Sequence, residues 1–322
     1  MKGIILDADS LGRDLDLGPV LDLLDDWQVN DTTRPEDVET DVADADVVLS
    51  NKIELPRDLL LKNSSIKLIS VMATGVNNVD LTTAAEKNIV VSNAVGYATA
   101  SVAQHTIALM LNLVTSQPNY FIETQKGRWQ KSNVFCRLDH PISELSGKTL
   151  GIVGLGTLGR AVANVSMALG MCVIAAESLT GASAQEPDRR IPRVALDTLL
   201  ASADVISLHC PLTPLTDGLM NPERFGLMKS TAFLINTARG ALIDTEALLQ
   251  AIRSKSIAGA AIDVLVSEPP TSDEPLLREQ HQNLLVTPHN AWGAIESRQR
   301  LIQQMRENIE AFIKGNPIRQ VN

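Results

Sequence analysis

His289 lies in Thr287-Pro288-His289-Asn290, a turn that a proline stiffens. An imidazole titrates near neutral pH, so it can give a proton to an oxygen that gains charge during a reaction, or take one back. Glu268, in Ser267-Glu268-Pro269-Pro270, is a carboxylate on a loop held by two prolines. Such a group can orient an imidazole and stabilise its charged form. Arg239 interrupts the small residues of Asn236-Thr237-Ala238-Arg239-Gly240, just past an apolar run. A guanidinium there can hold a planar carboxylate through two parallel hydrogen bonds, which Lys cannot copy. An acid/base, its orienting partner and an anion anchor together suit proton transfer at an oxygen beside a carboxylate, as when a ketone is reduced. The remaining histidines have quieter expectations. His105 reads as structural, His140 and His281 as loop residues, and His209 as lining a crevice.

A second constellation supplies a place for a redox partner. Gly154-Leu155-Gly156-Thr157-Leu158-Gly159 matches G-x-G-x-x-G, follows the apolar run Leu150-Gly151-Ile152-Val153 and opens a helical pattern. Glycines at these positions make a tight turn, admit a pyrophosphate against the backbone, and let helix and strand pack closely. The helix N-terminus then offers free N–H groups to the anion. Leu158, Val162, Val165 and Leu169 form an apolar stripe along that helix, with Gly170 placed to cap it. Glu177 ends the next apolar run, where a carboxylate accepts hydrogen bonds from ribose hydroxyls. The same carboxylate repels a 2′-phosphate, so the expected dinucleotide is NAD, with NADP as the alternative if Arg189 and Arg190 fold back towards it.

These residues need a frame. Short aliphatic runs at Gly3–Asp7, Asp46–Ser50, Ile66–Val71 and Ile89–Ser92 alternate with helical stretches such as Val20–Trp27 and Leu81–Lys87. Thr99–Thr115 is a strong helix, with Val102, Thr106, Leu109 and Leu113 at helical spacing, and is expected to lie between two bodies; Gln117-Pro118 ends it. Residues 118–146, with Phe121, Trp129 and Phe135, read as an irregular arm or subunit contact. A second alternation follows, with strands at Thr149–Val153, Cys172–Ala176, Val205–His209, Ala232–Ile235, Ala258–Ile262 and Leu284–Thr287, then the amphipathic helix Ile295–Lys314, which Gly315-Asn316-Pro317 stops. Strands separated by helices predict an α/β protein of two doubly wound parallel-sheet domains. In such sheets ligands gather at the carboxyl ends of strands. That is where His209-Cys210-Pro211-Leu212-Thr213, Asn236–Gly240, Asp263, Thr287–Asn290 and Ala73-Thr74-Gly75-Val76 fall.

Bulk properties narrow the partners. The 322 residues fit two domains of common size; aromatics are 3 %, so aliphatic side chains must fill the cores. A net charge of −10 argues against nucleic acid. Three widely spaced cysteines, Cys136, Cys172 and Cys210, lack zinc-ligand spacing and point to a reducing, cytoplasmic setting rather than a disulfide framework. No basic leader precedes the first apolar run and no apolar stretch approaches 18 residues, so neither secretion nor a membrane is expected.

Taken jointly, the chain resembles the D-isomer-specific 2-hydroxyacid dehydrogenase family. The resemblance is carried by Met72–Asp80, Gly96–His105, the glycine fingerprint, Asn236–Gly240, Glu268–Pro270 and Thr287–His289, and covers nearly the whole sequence. Gln104 and Phe135–Ile142 are similar to the glycerate dehydrogenase, or hydroxypyruvate reductase, branch. The resemblance implies an Arg–Glu–His catalytic set, matched by Arg239, Glu268 and His289. It implies a Rossmann NAD-binding domain over 100–291 and a discontinuous flavodoxin-like substrate domain from 1–99 and 292–322. It also implies a homodimer joined through the NAD domains. Thr74 and Gly75 would offer backbone N–H groups to the substrate carboxylate. Gly154, Gly156, Thr157, Leu158, Gly159, Glu177, Cys210, Thr216, Thr237 and Asp263 would meet the cofactor, Asp263 on the nicotinamide amide side. Glu177 departs from the more common Asp. The alternatives are a formate- or phosphite-type dehydrogenase and a nucleotide-sensing, corepressor-type regulatory protein.

Overall fold

Five strands in the first part of the chain, β1 (Lys2–Ile5), β2 (Asp26–Val29), β3 (Val47–Ser50), β4 (Leu68–Val71) and β5 (Val90–Ser92), form one parallel sheet in the order β2-β1-β3-β4-β5. The computed structural model describes residues 1–178, 190–279 and 281–322; Arg189 lies outside them. The chain divides into two compact units, Met1–Ala98 with Gly293–Asn322, and Thr99–Trp292.

In the first unit, Ile4, Val48, Ile69 and Val91 bury one sheet face against apolar residues of the flanking helices. The helix Ile295–Ile313 belongs to the same unit and buries Leu301, Met305 and Ile309. Its Asn308, itself buried, donates to Asn93 O at 3.0 Å. Gly315, at φ 74°, closes the helix as expected. The Val20–Trp27 helix is not formed. Only Gly18–Leu21 is helical, and Asp26–Val29 pairs with β1 as an edge strand. Its apolar spacing is also helical, but pairing of Gly3 with Trp27 decides the outcome: a Cβ at Gly3 would lie 2.5 Å from the indole ring, so only glycine leaves room for it.

In the second unit, β6 (Thr149–Val153), β7 (Cys172–Ala176), β8 (Arg193–Val194), β9 (Val205–Leu208), β10 (Phe233–Asn236), β11 (Gly259–Ile262) and β12 (Leu284–Val286) form a seven-stranded parallel sheet, order β12-β11-β10-β9-β6-β7-β8. The reversal of order between β6 and β9 places a topological switch point beside the glycine-rich turn. Successive strand residues serve opposite faces, as the two-residue period requires. Ile152, Val205, Ile235 and Ala261 pack with Met110 and Val162; Val153, Ile206, Leu234 and Ala260 pack with Leu199, Leu248 and Leu249. Aliphatic runs without polar alternation are thereby explained, since both faces are covered.

The helix Thr99–Thr115 has the expected bounds, and Val102, Thr106, Leu109 and Leu113 are all buried. Pro118 does more than stop it. Ser116 turns left-handed at φ 52° and Pro118 sits in the first turn of a new helix, Gln117–Gln125, where a missing N–H costs nothing. That helix buries none of its residues, which is why no apolar period announced it.

Candidate active site

The glycine-rich turn leaves β6 and enters the helix Thr157–Ala168. Its three glycines have separate reasons. Gly154 has φ 100°, and a Cβ there would meet Cys210 N at 2.5 Å. At Gly159 a Cβ would collide with the Gly154 carbonyl and press on Ile152 at 3.0 Å. Gly156 is exposed and a Cβ on it would meet nothing within 4 Å. No neighbouring protein atom therefore requires glycine at this position. Arg160 is the first residue of this helix to donate back, to Gly156 O at 2.9 Å, so the amides of Thr157, Leu158 and Gly159 precede the helical ladder. An open glycine beside such amides is a cradle fitted to a dinucleotide pyrophosphate. The buried face of the helix is Gly159, Val162, Ala163 and Ser166; Val165 and Leu169 are exposed, so the expected apolar stripe is rotated towards the smaller residues, which allow close approach to the sheet.

Glu177 follows β7 and is exposed, with its N–H held by Val194 O at 2.9 Å. Arg193 reaches Ala176 O at 3.1 Å on the same sheet edge. Across the turn, His209 extends the ladder by donating its N–H to Val153 O at 2.7 Å. The residue is only partly covered, yet its Nδ1 is sealed and has no partner, while Nε2 meets Ser207 Oγ at 2.8 Å. Burial lowers this imidazole to a pKa of about 4, which keeps it neutral. Burial likewise pushes the Cys210 thiol up to about 11. Thr216 is buried and donates to Pro211 O at 2.7 Å; Thr237 is buried against Thr106 Oγ1 at 3.1 Å.

At the end of β12, His289 has a left-handed backbone, φ 47°, uncommon for a residue with a side chain. Its Nδ1 donates to Glu268 Oε2 at 2.5 Å. Glu268 is fixed in turn, because its Oε1 accepts the Leu265 N–H at 2.8 Å. The imidazole and carboxylate are both partly open, so Nε2 is the ring nitrogen left to act on a substrate.

Arg239 follows β10 on a loop that Asn236 braces, donating to Arg239 O at 2.8 Å and accepting the Ala238 N–H at 3.0 Å. The half-buried guanidinium donates to Ala238 O at 2.7 Å. Gly240 then presses on the neighbouring loop. A Cβ at this position would collide with the Leu265 carbonyl and lie 2.5 Å from Val266 N. The Arg239 loop therefore abuts the backbone that anchors Glu268, and three side chains distant in sequence share one cluster of loops.

Asp263 is turned inward and almost fully buried. Its carboxylate accepts from Thr287 Oγ1 at 2.6 Å, Asn290 N at 3.1 Å and Ala291 N at 3.0 Å, with His105 Nε2 at 3.4 Å. Burial alone would raise this carboxyl, but the hydrogen bonds from His105, Thr287 and Ala291 outweigh it and hold the group below its ordinary value. Thr287 carries no legible role in the primary order and His105 only a structural one, because nothing in their spacing marks a contact between residues 182 positions apart.

Thr74 and Gly75 follow β4 in the first unit, Thr74 exposed and its carbonyl held by Asn93 Nδ2 at 2.8 Å. Among the described residues no cluster of His, Cys, Asp or Glu could hold a metal ion, and no helix is long and apolar enough to cross a membrane.

Residues 107–291 match the model of the D-isomer specific 2-hydroxyacid dehydrogenase, NAD binding domain. Over 326 aligned positions the chain is 39 % identical to a hydroxypyruvate reductase of Blautia hydrogenotrophica, covering all of both proteins. It is 40 % identical to a glycerate dehydrogenase of Methylorubrum extorquens, covering 89 % of this chain and 88 % of that one. The D-lactate dehydrogenase of Aquifex aeolicus, complexed with NAD and lactic acid, superposes with a TM-score of 0.83 at 27 % identity, over the full length of both.

Proposed function

Since the chain belongs to the D-isomer-specific 2-hydroxyacid dehydrogenase family, we propose that it reduces hydroxypyruvate, and glyoxylate as a smaller substrate, to the 2-hydroxy acid. The reaction class is NAD-dependent interconversion of a 2-oxo acid and a D-2-hydroxy acid. The observation that carries the site assignment is the 2.5 Å His289–Glu268 pair, whose anchoring loop packs on the loop of Arg239. The similarity to proteins named hydroxypyruvate reductase and glycerate dehydrogenase supports the substrate.

In this reading the Gly154–Gly159 turn would hold the pyrophosphate of NAD and Glu177 its ribose, and the cofactor would supply or accept the hydride. Arg239 holds the substrate carboxylate and polarises the 2-oxo group; a like role for the backbone amides of Thr74 and Gly75 is carried by the family resemblance alone. His289 gives the Nε2 proton to the oxygen that becomes an alkoxide, and takes it back in the oxidative direction. Glu268 fixes the ring by its Nδ1–H and balances the charge of the imidazolium. Leu158, Cys210, Thr216, Thr237 and Asp263 would complete the cofactor's surroundings, although Thr216 and Asp263 also bond to internal partners. A homodimer in the cytoplasm is the setting proposed, with the exposed Phe121, Trp129 and Phe135 of the 118–146 arm as its contact.

The test is a panel of 2-oxo acids assayed by loss of NADH absorbance, with His289→Ala as control. Hydroxypyruvate and glyoxylate should be turned over best, and the variant should lose roughly 10²–10⁴-fold in kcat. No turnover of either acid refutes the substrate, and near-normal turnover by His289→Ala refutes the proton donor.

A further inference from the structure

His289 adopts a backbone conformation that residues with a Cβ rarely take. Such conformations persist only where the surroundings over-determine them. Here they do. The His289 N–H is shared between Asp263 O at 2.8 Å and Thr287 O at 3.0 Å, and its carbonyl accepts the Trp292 Nε1–H at 2.9 Å. The side chain of Asp263 takes the next two amides of the turn, those of Asn290 and Ala291. One residue thus holds the turn by main chain and side chain together.

The direction of the remaining bonds follows from chemistry. Asp263 is an ionised acceptor, so the Thr287 hydroxyl donates to it at 2.6 Å. The Thr287 oxygen is then free to accept, and His105 Nε2 stands 3.1 Å away. His105 must carry its proton on Nε2, which faces the Thr287 oxygen at 3.1 Å and Asp263 Oδ1 at 3.4 Å; the nearer oxygen, that of Thr287, completes an ordered relay to Asp263. The relay begins on the Thr99–Thr115 helix and ends on the two strand ends that bracket the turn, Asp263 after β11 and Thr287 after β12.

We propose that Thr287 is a positioning residue for His289: its hydroxyl, ordered by His105 and bound to Asp263, locks the left-handed turn that aims the imidazole. This rests on the reading of His289 as the proton donor. Misplacing a reacting group by about 1 Å costs on the order of 10²-fold in rate, while binding at a distance is spared.

The experiment compares Thr287→Val, which keeps the shape and removes the hydroxyl, with Thr287→Ser, which keeps the hydroxyl. His289→Ala is run alongside, and NADH affinity is measured by fluorescence titration. Thr287→Val should lose about 10- to 100-fold in kcat with NADH affinity within about twofold of the parent, and Thr287→Ser should recover most of the rate. Should Thr287→Val fail to fold, His105→Ala removes the donor behind the hydroxyl and should lower kcat several-fold, again without loss of NADH affinity. Full activity in Thr287→Val beside an inactive His289→Ala overturns the inference alone. Equal losses in the Val and Ser variants overturn it too, because packing rather than the hydroxyl would be responsible. So does weakened NADH binding at unchanged kcat. An active His289→Ala removes the proton donor itself, and the inference with it.

Discussion

Gly240→Ala adds a single methyl group, yet the structure predicts a large loss of activity. The added Cβ would lie 2.5 Å from Val266 N and would collide with the Leu265 carbonyl. Comfortable separation is about 3.5 Å, so the two loops must part by about 1 Å. Neither obstacle is a side chain that can rotate away. Leu265 N anchors Glu268, which holds His289, and the residue before Gly240 is Arg239. Parting the loops therefore separates the proposed substrate anchor from the proposed proton donor. A displacement of that size costs on the order of 10²-fold, equivalent to about 2.7 kcal/mol of transition-state stabilisation. Overpacking also costs about 1–3 kcal/mol of folding stability, so the variant should remain folded with a lowered Tm. Steady-state kinetics with a 2-oxo acid and NADH, beside thermal melts and NADH titration, separates these effects. The expected result is a kcat lower by about 10²-fold with NADH affinity retained. A kcat within twofold of the parent would refute the argued coupling of the two loops.

The same methyl group at Gly156 should behave in the opposite way. It meets no protein atom, so Tm should hold while the KM for NADH rises about tenfold or more; an unchanged KM would show that nothing approaches this glycine. Glu177→Ala should raise the efficiency with NADPH relative to NADH by about tenfold, since a like charge opposing the 2′-phosphate is gone; an unaltered ratio removes Glu177 from cofactor choice. His209 gives a pH prediction. The native ring refuses a proton until about pH 4, whereas the unfolded ring accepts one near its ordinary value of 6.5. The unfolded state thus binds more protons between those values, and stability falls as pH drops through that window. At pH 4.5 the loss attributable to this ring is roughly 2–3 kcal/mol. Urea melts of the parent and His209→Gln at pH 7 and 4.5 should diverge by about that amount, and parallel behaviour would show that the ring is not sealed.

The sequence by itself determined the architecture and the residue types of the chemistry. Two alternations of aliphatic runs with helical stretches dictate two parallel sheets, because a run buried on both faces needs no polar alternation and parallel neighbours need crossovers. The bounds of β6, β7 and the Thr99–Thr115 helix are legible to the residue for that reason. Gly154, Gly156 and Gly159 were readable as a set, although their distinct duties were not: two are forced by neighbours and the third by empty space. Tertiary structure alone decided the rest. Asp26–Val29 is a strand because β1 offers an edge and Gly3 a place for Trp27, neither of which is local information. The Gln117–Gln125 helix buries nothing and so leaves no periodic trace. His105 and Thr287 became partners only when a helix and a strand end met across 182 residues, and Asp263, expected beside the cofactor, was found to clamp the His289 turn as well. Periodicity records which face of an element is covered. It carries no record of which atom covers it, and hydrogen bonds between distant loops are decided at that level.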